Sequence, residues 1–543
     1  MWRSVYTRFY CACISLYFFV RGQITYRVLI DSGSTGSRVY IYSYEGSAPL
    51  STLQEVAHMR VRPALATYYN KFTELKDQMQ QLITFATEHV PADLRAQSHI
   101  ALKATAGLRV IEEEKQEWII DSVRRILSSS GFYFDPLETA VLTGEEEALF
   151  GLLATNLAYG NFSNTQGGFT LAAADLGGSS KQIAFMLPSS PPYTITVFGR
   201  EVEIPSLPIS LGLGLWSKGS QQHYPEECRP DYRLLLPGSH NPIEVFARSI
   251  AGLGLVESMS EAFSMLSQRA GIDLNSEHNQ TDIDTDADQT RMEPILFYEE
   301  SLGSCNLDVV GQGWEEDEDN ISEELNAIEV EETMTGSLAV CDSFSLMDKH
   351  YPQILSSVNF SSPSSSESSD VIYNPCAPPG ESLFYPENLA HFSWVGSGNF
   401  EECANIVKEM VLTKAAREST CMRQVKFPTI IAMDNFPKVL EILRLTIDQP
   451  VTPYMIKEAG EAMCQRPWLD VMDEFHHRIP EYRAQQACFG AAFIYTIATE
   501  LYGLQEYDST SFLPTDSHHS YTIGWPLGAT IFAATDIATA LVP

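Results

Sequence analysis

A short pattern occurs twice in this chain of 543 residues: an apolar run enters an acidic residue and then a turn of glycines and hydroxyls. The first copy is Val28-Leu29-Ile30-Asp31-Ser32-Gly33-Ser34-Thr35-Gly36-Ser37, and the second is Ala173-Ala174-Asp175-Leu176-Gly177-Gly178-Ser179-Ser180. In each copy a strand delivers a carboxylate to its end. The glycines then let backbone N–H groups close on phosphate oxygens while the carboxylate orients a hydrated cation. Asp-x-Gly-Ser also makes ordinary hairpin turns, so one copy alone would say little. Two copies 144 residues apart, Asp31 to Asp175, point to two phosphate loops facing each other across a cleft.

The surrounding texture fits an α/β chain of two lobes, the default for a length at which a single hydrophobic core stops growing. Tyr26 to Ile30 reads as a buried strand with Arg38 to Tyr42 as its hairpin partner, and His99 to Thr105, Thr139 to Leu142 and Phe169 to Asp175 as further strands. Phe72, Leu75, Met79 and Leu82 recur at helical spacing, as do Ile119, Val123, Ile126 and Leu127, with Gly131 placed to stop the second helix. From about 277 to 370 the pattern dissolves into acidic and Ser-rich stretches that cannot bury a core. Asp282-x-Asp284-x-Asp286 with Glu293 imitates a calcium loop, but Ala287 stands where the loop needs glycine, so a solvated acidic insertion is the better reading.

Two further segments carry chemistry. Lys103-Ala104-Thr105-Ala106-Gly107-Leu108-Arg109 ends a strand with a hydroxyl and an arginine, a donor and a bidentate cation for an anion. Thr143-Gly144-Glu145-Glu146-Glu147-Ala148 opens a helix with three carboxylates. These either complement the helix N-terminus or, in combination with the other segments, include a general base.

The ordered set Asp31 to Ser37, Lys103 to Arg109, Thr143 to Gly151 and Asp175 to Gln182 resembles the apyrase signature of the ecto-nucleoside triphosphate diphosphohydrolases, a branch of the actin-like superfamily. The likeness resumes at Gly396 to Cys403, Cys464-x-x-Pro467-Trp468, Tyr482 to Gly490 and Ile523 to Gly528. The resemblance implies two ribonuclease-H-like lobes with the active site in the cleft between them: residues 23–143 plus 515–543 as lobe I and 144–514 as lobe II. It implies an apyrase-type phosphohydrolase that acts on nucleoside tri- and diphosphates with Mg²⁺ or Ca²⁺. Asp31 and Asp175 would hold the hydrated cation, and Ser34, Thr35, Gly36, Gly177, Gly178 and Ser179 would cradle phosphates. Thr105 would sit beside the terminal phosphate and Glu147 would act as the base, with Ser180 and Gln182 positioning the water. Arg109 would either meet an anion or serve structure. Trp525 resembles a cleft tryptophan, although a core aromatic would look the same, and Phe436 is the expected base-stacking ring. The resemblance also pairs Cys464 with Cys488.

Four positions depart from the usual wording: Ser32 for alanine, Ala148 for glycine, Leu152 for tryptophan and Lys181 for threonine. Ala148 brings the chain closer to exopolyphosphatases of the same superfamily, while Gln182 and the cysteine-bearing C-terminal half favour the apyrase. A nucleotide-binding protein without turnover would be expected to lose Asp31, Asp175 or Glu147, and all three are present.

Composition narrows the setting. With 35 basic and 70 acidic residues the chain is ill-suited to nucleic acid or an anionic membrane. About half of the excess lies in Asp282 to Thr333, where 18 acidic residues face one arginine, so the repulsion of a polyphosphate need not apply at the cleft. Arg3 and Arg8 precede the apolar run Phe9 to Val20, too short to span a bilayer comfortably, which reads as a signal peptide over residues 1–22. No further span is expected after cleavage. The eight cysteines from Cys228 onward and the sequons at Asn161, Asn279, Asn320 and Asn359 suit a secreted or lumenal glycoprotein with disulfides.

Overall fold

The structure is a computed structural model that describes residues 24–163, 170–187, 193–197, 200–204, 226–237, 243–270, 371–381, 393–424, 429–476, 478–508, 512–535 and 537–541. The expected signal segment, the acidic and Ser-rich insertions, the calcium-loop imitation and the sequons at Asn279, Asn320 and Asn359 lie outside them. Among the described residues no helix is long and apolar enough to cross a membrane.

The strands are β1 (Ile24–Gly33), β2 (Gly36–Glu45), β3 (Gln54–Val61), β4 (His99–Ala104), β5 (Tyr133–Phe134), β6 (Ala140–Val141), β7 (Leu171–Leu176) and β8 (Ser180–Met186). They continue with β9 (Tyr193–Val197), β10 (Arg200–Ile204), β11 (Tyr232–Leu235), β12 (Ile243–Ala251), β13 (Val371–Asn374), β14 (Ser393–Gly396), β15 (Thr429–Asp434), β16 (Phe512–Pro514), β17 (Ser517–His518), β18 (Tyr521–Thr522) and β19 (Ala538–Leu541). The first large sheet runs β3-β2-β1-β4-β5, with β6 also on β4; the second runs β16-β15-β7-β8-β12-β11-β19.

Both sheets repeat one plan. In the first, β1, β2 and β3 form an antiparallel meander, while β4 joins β1 and β5 joins β4 in parallel. In the second, β7, β8 and β12 are antiparallel, while β15 joins β7 and β16 joins β15 in parallel. The lobes are thus internal repeats of an α/β unit, and the two glycine turns occupy equivalent places, each joining a unit's first strand to its second.

Alternation along β1 explains the packing. Val28 and Ile30 face the first-lobe core with Leu75, Met79, Leu82, Ile119 and Val123 from the two expected helices, Phe72–His89 and Glu113–Leu127. Leu29 faces the other way, onto Trp525 and Leu142. Phe72, expected on the buried face, is exposed at the helix start, with the Arg125 guanidinium over its ring. The expected strand Thr139 to Leu142 shortens to β6 because the Thr139 hydroxyl accepts from Leu102 N–H and Thr143 already caps the next helix.

That helix, Gly144–Ala158, is apolar nearly all round and buried, packing Leu152, Leu153 and Leu157 against Ala173, Ala184 and Ala247 of the second sheet and Leu527 and Ile531 of the helix Trp525–Ala534. Residues 515–543, expected with the first lobe, are divided. Thr522 bonds Glu55 of β3, and Trp525 packs on Leu29, but β19 pairs with β11. The β19 placement corrects the expectation: the free side of β11 offers a full register from Tyr232↔Leu541 to Leu235↔Ala538.

Disulfides join Cys464 to Cys488, as the resemblance implied, and also Cys228 to Cys421 and Cys376 to Cys403.

Candidate active site

The two glycine turns meet. Gly33 pairs with Gly36 at the end of β1 and β2, leaving Ser34 and Thr35 at the tip. Gly177 N–H donates to Ser180 O to close the second turn, and Leu255 and Val256 N–H donate to the Gly177 and Gly178 carbonyls. A Cβ at Gly178 would come 2.7 Å from Ser34 Oγ, so the two loops are in direct contact. Gly107, two residues after Thr105, is held to glycine by backbone: a Cβ there would lie 2.7 Å from Ser34 Cα.

A cavity of about 420 Å³ opens at this meeting point. Of the expected residues, Asp31, Ser34, Thr35, Thr105, Glu147, Asp175, Gly177, Gly178, Ser180 and Trp525 line it. Gly36, Ser179 and Gln182 stand behind the wall. Gly36, at φ 148°, crosses tightly against β3 at Val61, and Ser179 O accepts from Gly252 N–H.

The three glutamates of the helix start divide their roles. Thr143 Oγ1 accepts from Glu146 N–H and Glu146 accepts from Thr143 N–H, a capping box. One residue further round, Glu147 turns inward. Its Oε2 accepts from Arg109 Nη2 at 2.8 Å and from Gln182 Nε2 at 3.1 Å. Arg109 Nη2 also reaches Ser180 Oγ at 3.2 Å, and its Nη1 donates to Leu142 O at 2.9 Å. Gln182 Nε2 lies 2.7 Å from Ser180 Oγ. Arg109 and Gln182 therefore hold the Glu147 carboxylate beside the Ser180 hydroxyl. Burial pushes Glu147 up to about 7, against the lowering effect of Arg109.

The other carboxylates sit in the same field. Asp31 is pushed up to about 6 by burial, opposed first by Arg38, its cross-strand partner 3.6 Å away, while the indole N–H of Trp525 also favours its charge. Trp525 packs on Leu29 and also lines the cavity. Asp175 is raised by burial and then by Asp434, Glu147 and Asp516. Asp31 Oδ1 is buried without a hydrogen-bond partner. An unsatisfied buried anionic oxygen, in one cavity with a second, partly buried aspartate, fits a divalent cation kept in its water shell. Among the described residues no cluster of His, Cys, Asp or Glu is set for direct ligation of a metal.

Phe436 is a correction. It has no exposed surface, its ring stands edge-on to Phe512, and it lies in the second-lobe core. The neighbours Asp434, Asn435 and Lys438 face the cavity instead. Asp434, Lys438, Asp516, Arg38, Arg60, Tyr482 and Arg483 are wall residues that sequence reasoning missed. A signal existed: Ile430-Ile431-Ala432-Met433-Asp434 and Phe512-Leu513-Pro514-Thr515-Asp516 are apolar runs entering an acid, as in the second loop. Lys181, the departure beside Ser180, points away from the cavity. It is fully buried, with its Nζ 4.4 Å from the Tyr502 ring centre, and burial pushes it down to about 7.

A profile of the GDA1/CD39 (nucleoside phosphatase) family matches residues 20–200 and 356–540. The chain is 34% identical over 170 residues to probable apyrase 3 of Arabidopsis thaliana, which covers 31% of this chain and 35% of that protein. It is 28% identical over 281 residues to probable apyrase 4 of the same plant, covering 46% and 56%. It is 30% identical over 207 residues to ectonucleoside triphosphate diphosphohydrolase 6 of Mus musculus, covering 36% and 45%. The matches thus span about a third to a half of these relatives. In fold, the chain is similar to a nucleoside triphosphate hydrolase structure from Neospora caninum, with TM-score 0.56 at 11% identity over 97% of this chain and 96% of that one.

Proposed function

Since the chain belongs to the GDA1/CD39 nucleoside phosphatase family, we propose that it is an apyrase-type hydrolase that releases the terminal phosphate of nucleoside tri- and diphosphates by in-line attack of water. The observation that carries this reading is the Glu147 carboxylate, held by Arg109 and Gln182 beside Ser180 at the floor of a cavity where two phosphate loops meet. The shared strand order of the two sheets supports ribonuclease-H-like lobes.

Backbone N–H groups of the two turns, with Ser34, Thr35 and Thr105, would bind and orient the phosphate chain, which is most of what phosphoryl transfer asks of a protein. Ser180 would orient the attacking water and Glu147 would take its proton as the oxygen bonds to phosphorus and the bridging bond breaks. A carboxylate with its proton affinity near neutrality is suited to that exchange. Asp31 and Asp175 would hold the waters of a Mg²⁺ or Ca²⁺ ion, which when bound neutralises phosphate charge. Arg38, Arg60, Lys438 and Arg483 stand on the wall among its carboxylates, so cationic groups for phosphate oxygens are at hand within an acidic chain. A secretory-pathway location is part of the same reading, supported by the disulfides and the N-terminal apolar run.

Phosphate release from ATP, ADP, AMP and polyphosphate, with either metal, tests the proposal. Release from ATP and ADP but not AMP, abolished by Glu147→Ala, is expected. Release from polyphosphate alone would replace the apyrase reading with an exopolyphosphatase.

A further inference from the structure

Three parallel neighbours in the second sheet, β7, β15 and β16, lead at their carboxyl ends to Asp175, Asp434 and Asp516, and all three carboxylates line the cavity. The mechanism above uses only the first. Asp434 is anchored beside the second phosphate loop: its N–H donates to Asp516 Oδ1 at 2.6 Å, and the Asn435 side chain donates to Leu176 O at 2.8 Å. Its backbone, at φ 61° and ψ −107°, is one a non-glycine residue seldom adopts. About a third of its side chain is exposed, and since it lines the cavity that surface is available to what enters there.

Asp434 is ion-paired to Lys438, one helical turn on, whose Nζ also stands 4.0 Å from Asp516 Oδ2. The cavity wall also includes Asp31, whose Oδ1 is the buried acceptor with no partner. Five carboxylates, Asp31, Glu147, Asp175, Asp434 and Asp516, thus share one small space, with Arg38 beside Asp31, Arg109 on Glu147 and Lys438 on Asp434 as the side-chain counter-charges. A divalent ion held by Asp31 and Asp175 would meet the ammonium of Lys438 on the third acid.

We propose that Asp434 is a third carboxylate of the cation site built on Asp31 and Asp175, and that Lys438 is a tethered counter-ion which the hydrated cation displaces from it. Lys438, on the helix Asn435–Ile442, lines the same cavity as both phosphate loops. Displacement would therefore free its ammonium for the polyphosphate and make cation and phosphate binding mutually reinforcing. The inference rests on the hydrolase reading of this cleft and adds a residue pair to it.

The test is direct binding of Mn²⁺ to the full chain, followed by the electron paramagnetic resonance of the free ion, for wild type, D434N, K438M and the double variant. D434N is expected to weaken binding, and K438M, by removing the ion pair on the carboxylate, to tighten it, each on the order of tenfold. In the double variant the tightening should vanish. Thermal melts confirm folding, with D434S as a second variant should D434N unfold. Unchanged Mn²⁺ affinity in folded D434N or D434S, or weaker binding in folded K438M, overturns the inference. Phosphate release from ADP, read on the same samples, separates the two levels. The Mn²⁺ pattern without hydrolysis would count against the hydrolase alone, and hydrolysis without the pattern would count against the Asp434–Lys438 pair alone.

Discussion

Glu147 owes its inward position, and the base role proposed for it, to what its neighbours do. Glu146 caps the helix and Glu145 is only partly buried, so the residue that turns inward is the one that meets Arg109 and Gln182. Glu147→Gln keeps the shape and removes the basic oxygen. It should lower kcat by about 10²- to 10⁴-fold with KM little changed, as measured by steady-state phosphate release. The pH profile follows from the same contacts. Glu147 must be ionised to accept a proton and is held up at about 7, so kcat/KM should fall toward a tenfold loss per unit below that pH. Arg109 is the group that lowers it, so Arg109→Met should move this limb to higher pH; a limb that stays put or moves down would separate Glu147 from the profile.

At the scale of elements, the N-terminus of the helix Gly144–Ala158 and the contact between the two turns set the geometry. Thr143→Ala removes half of the capping box and should cost about 1 kcal/mol in denaturant unfolding. Gly107→Ala adds a methyl group 2.7 Å from Ser34 Cα and 2.9 Å from its N, backbone that cannot rotate away, so the first turn must move. It should raise KM for ADP severalfold while the fold survives. The loops and the helix cap were legible in the sequence because turn and cap chemistry is local: Asp31, Asp175, Thr143 and their glycines signal themselves within a few residues. Asp434 and Asp516 each end a similar run, but their convergence on Asp175 was not legible, because it comes from parallel pairing across distant segments, Met433↔Asp175 and Ala432↔Pro514. Phe436 was misplaced because resemblance gave its neighbourhood but not its side of the helix. Asn435 and Lys438 turn to the cavity, and Phe436 turns to Phe512.

For the whole molecule, the repeat of one α/β plan explains why the site lies where it does. Equivalent turns at the ends of β1 and β7 converge only when both lobes are folded, so ligand and architecture should stabilise each other. A non-hydrolysable nucleoside triphosphate analogue with Mg²⁺, at about 100 times its Kd, should add roughly 2.7 kcal/mol to unfolding and raise Tm. The most direct measurement is phosphate release from ATP, ADP and AMP by the purified chain and by Glu147→Gln, with Mg²⁺ or Ca²⁺ present and then with the metal chelated. Metal-dependent release from ATP and ADP, absent with AMP and lost in the variant, is the predicted result; full release in the variant, or none from either nucleotide with metal present, would contradict it.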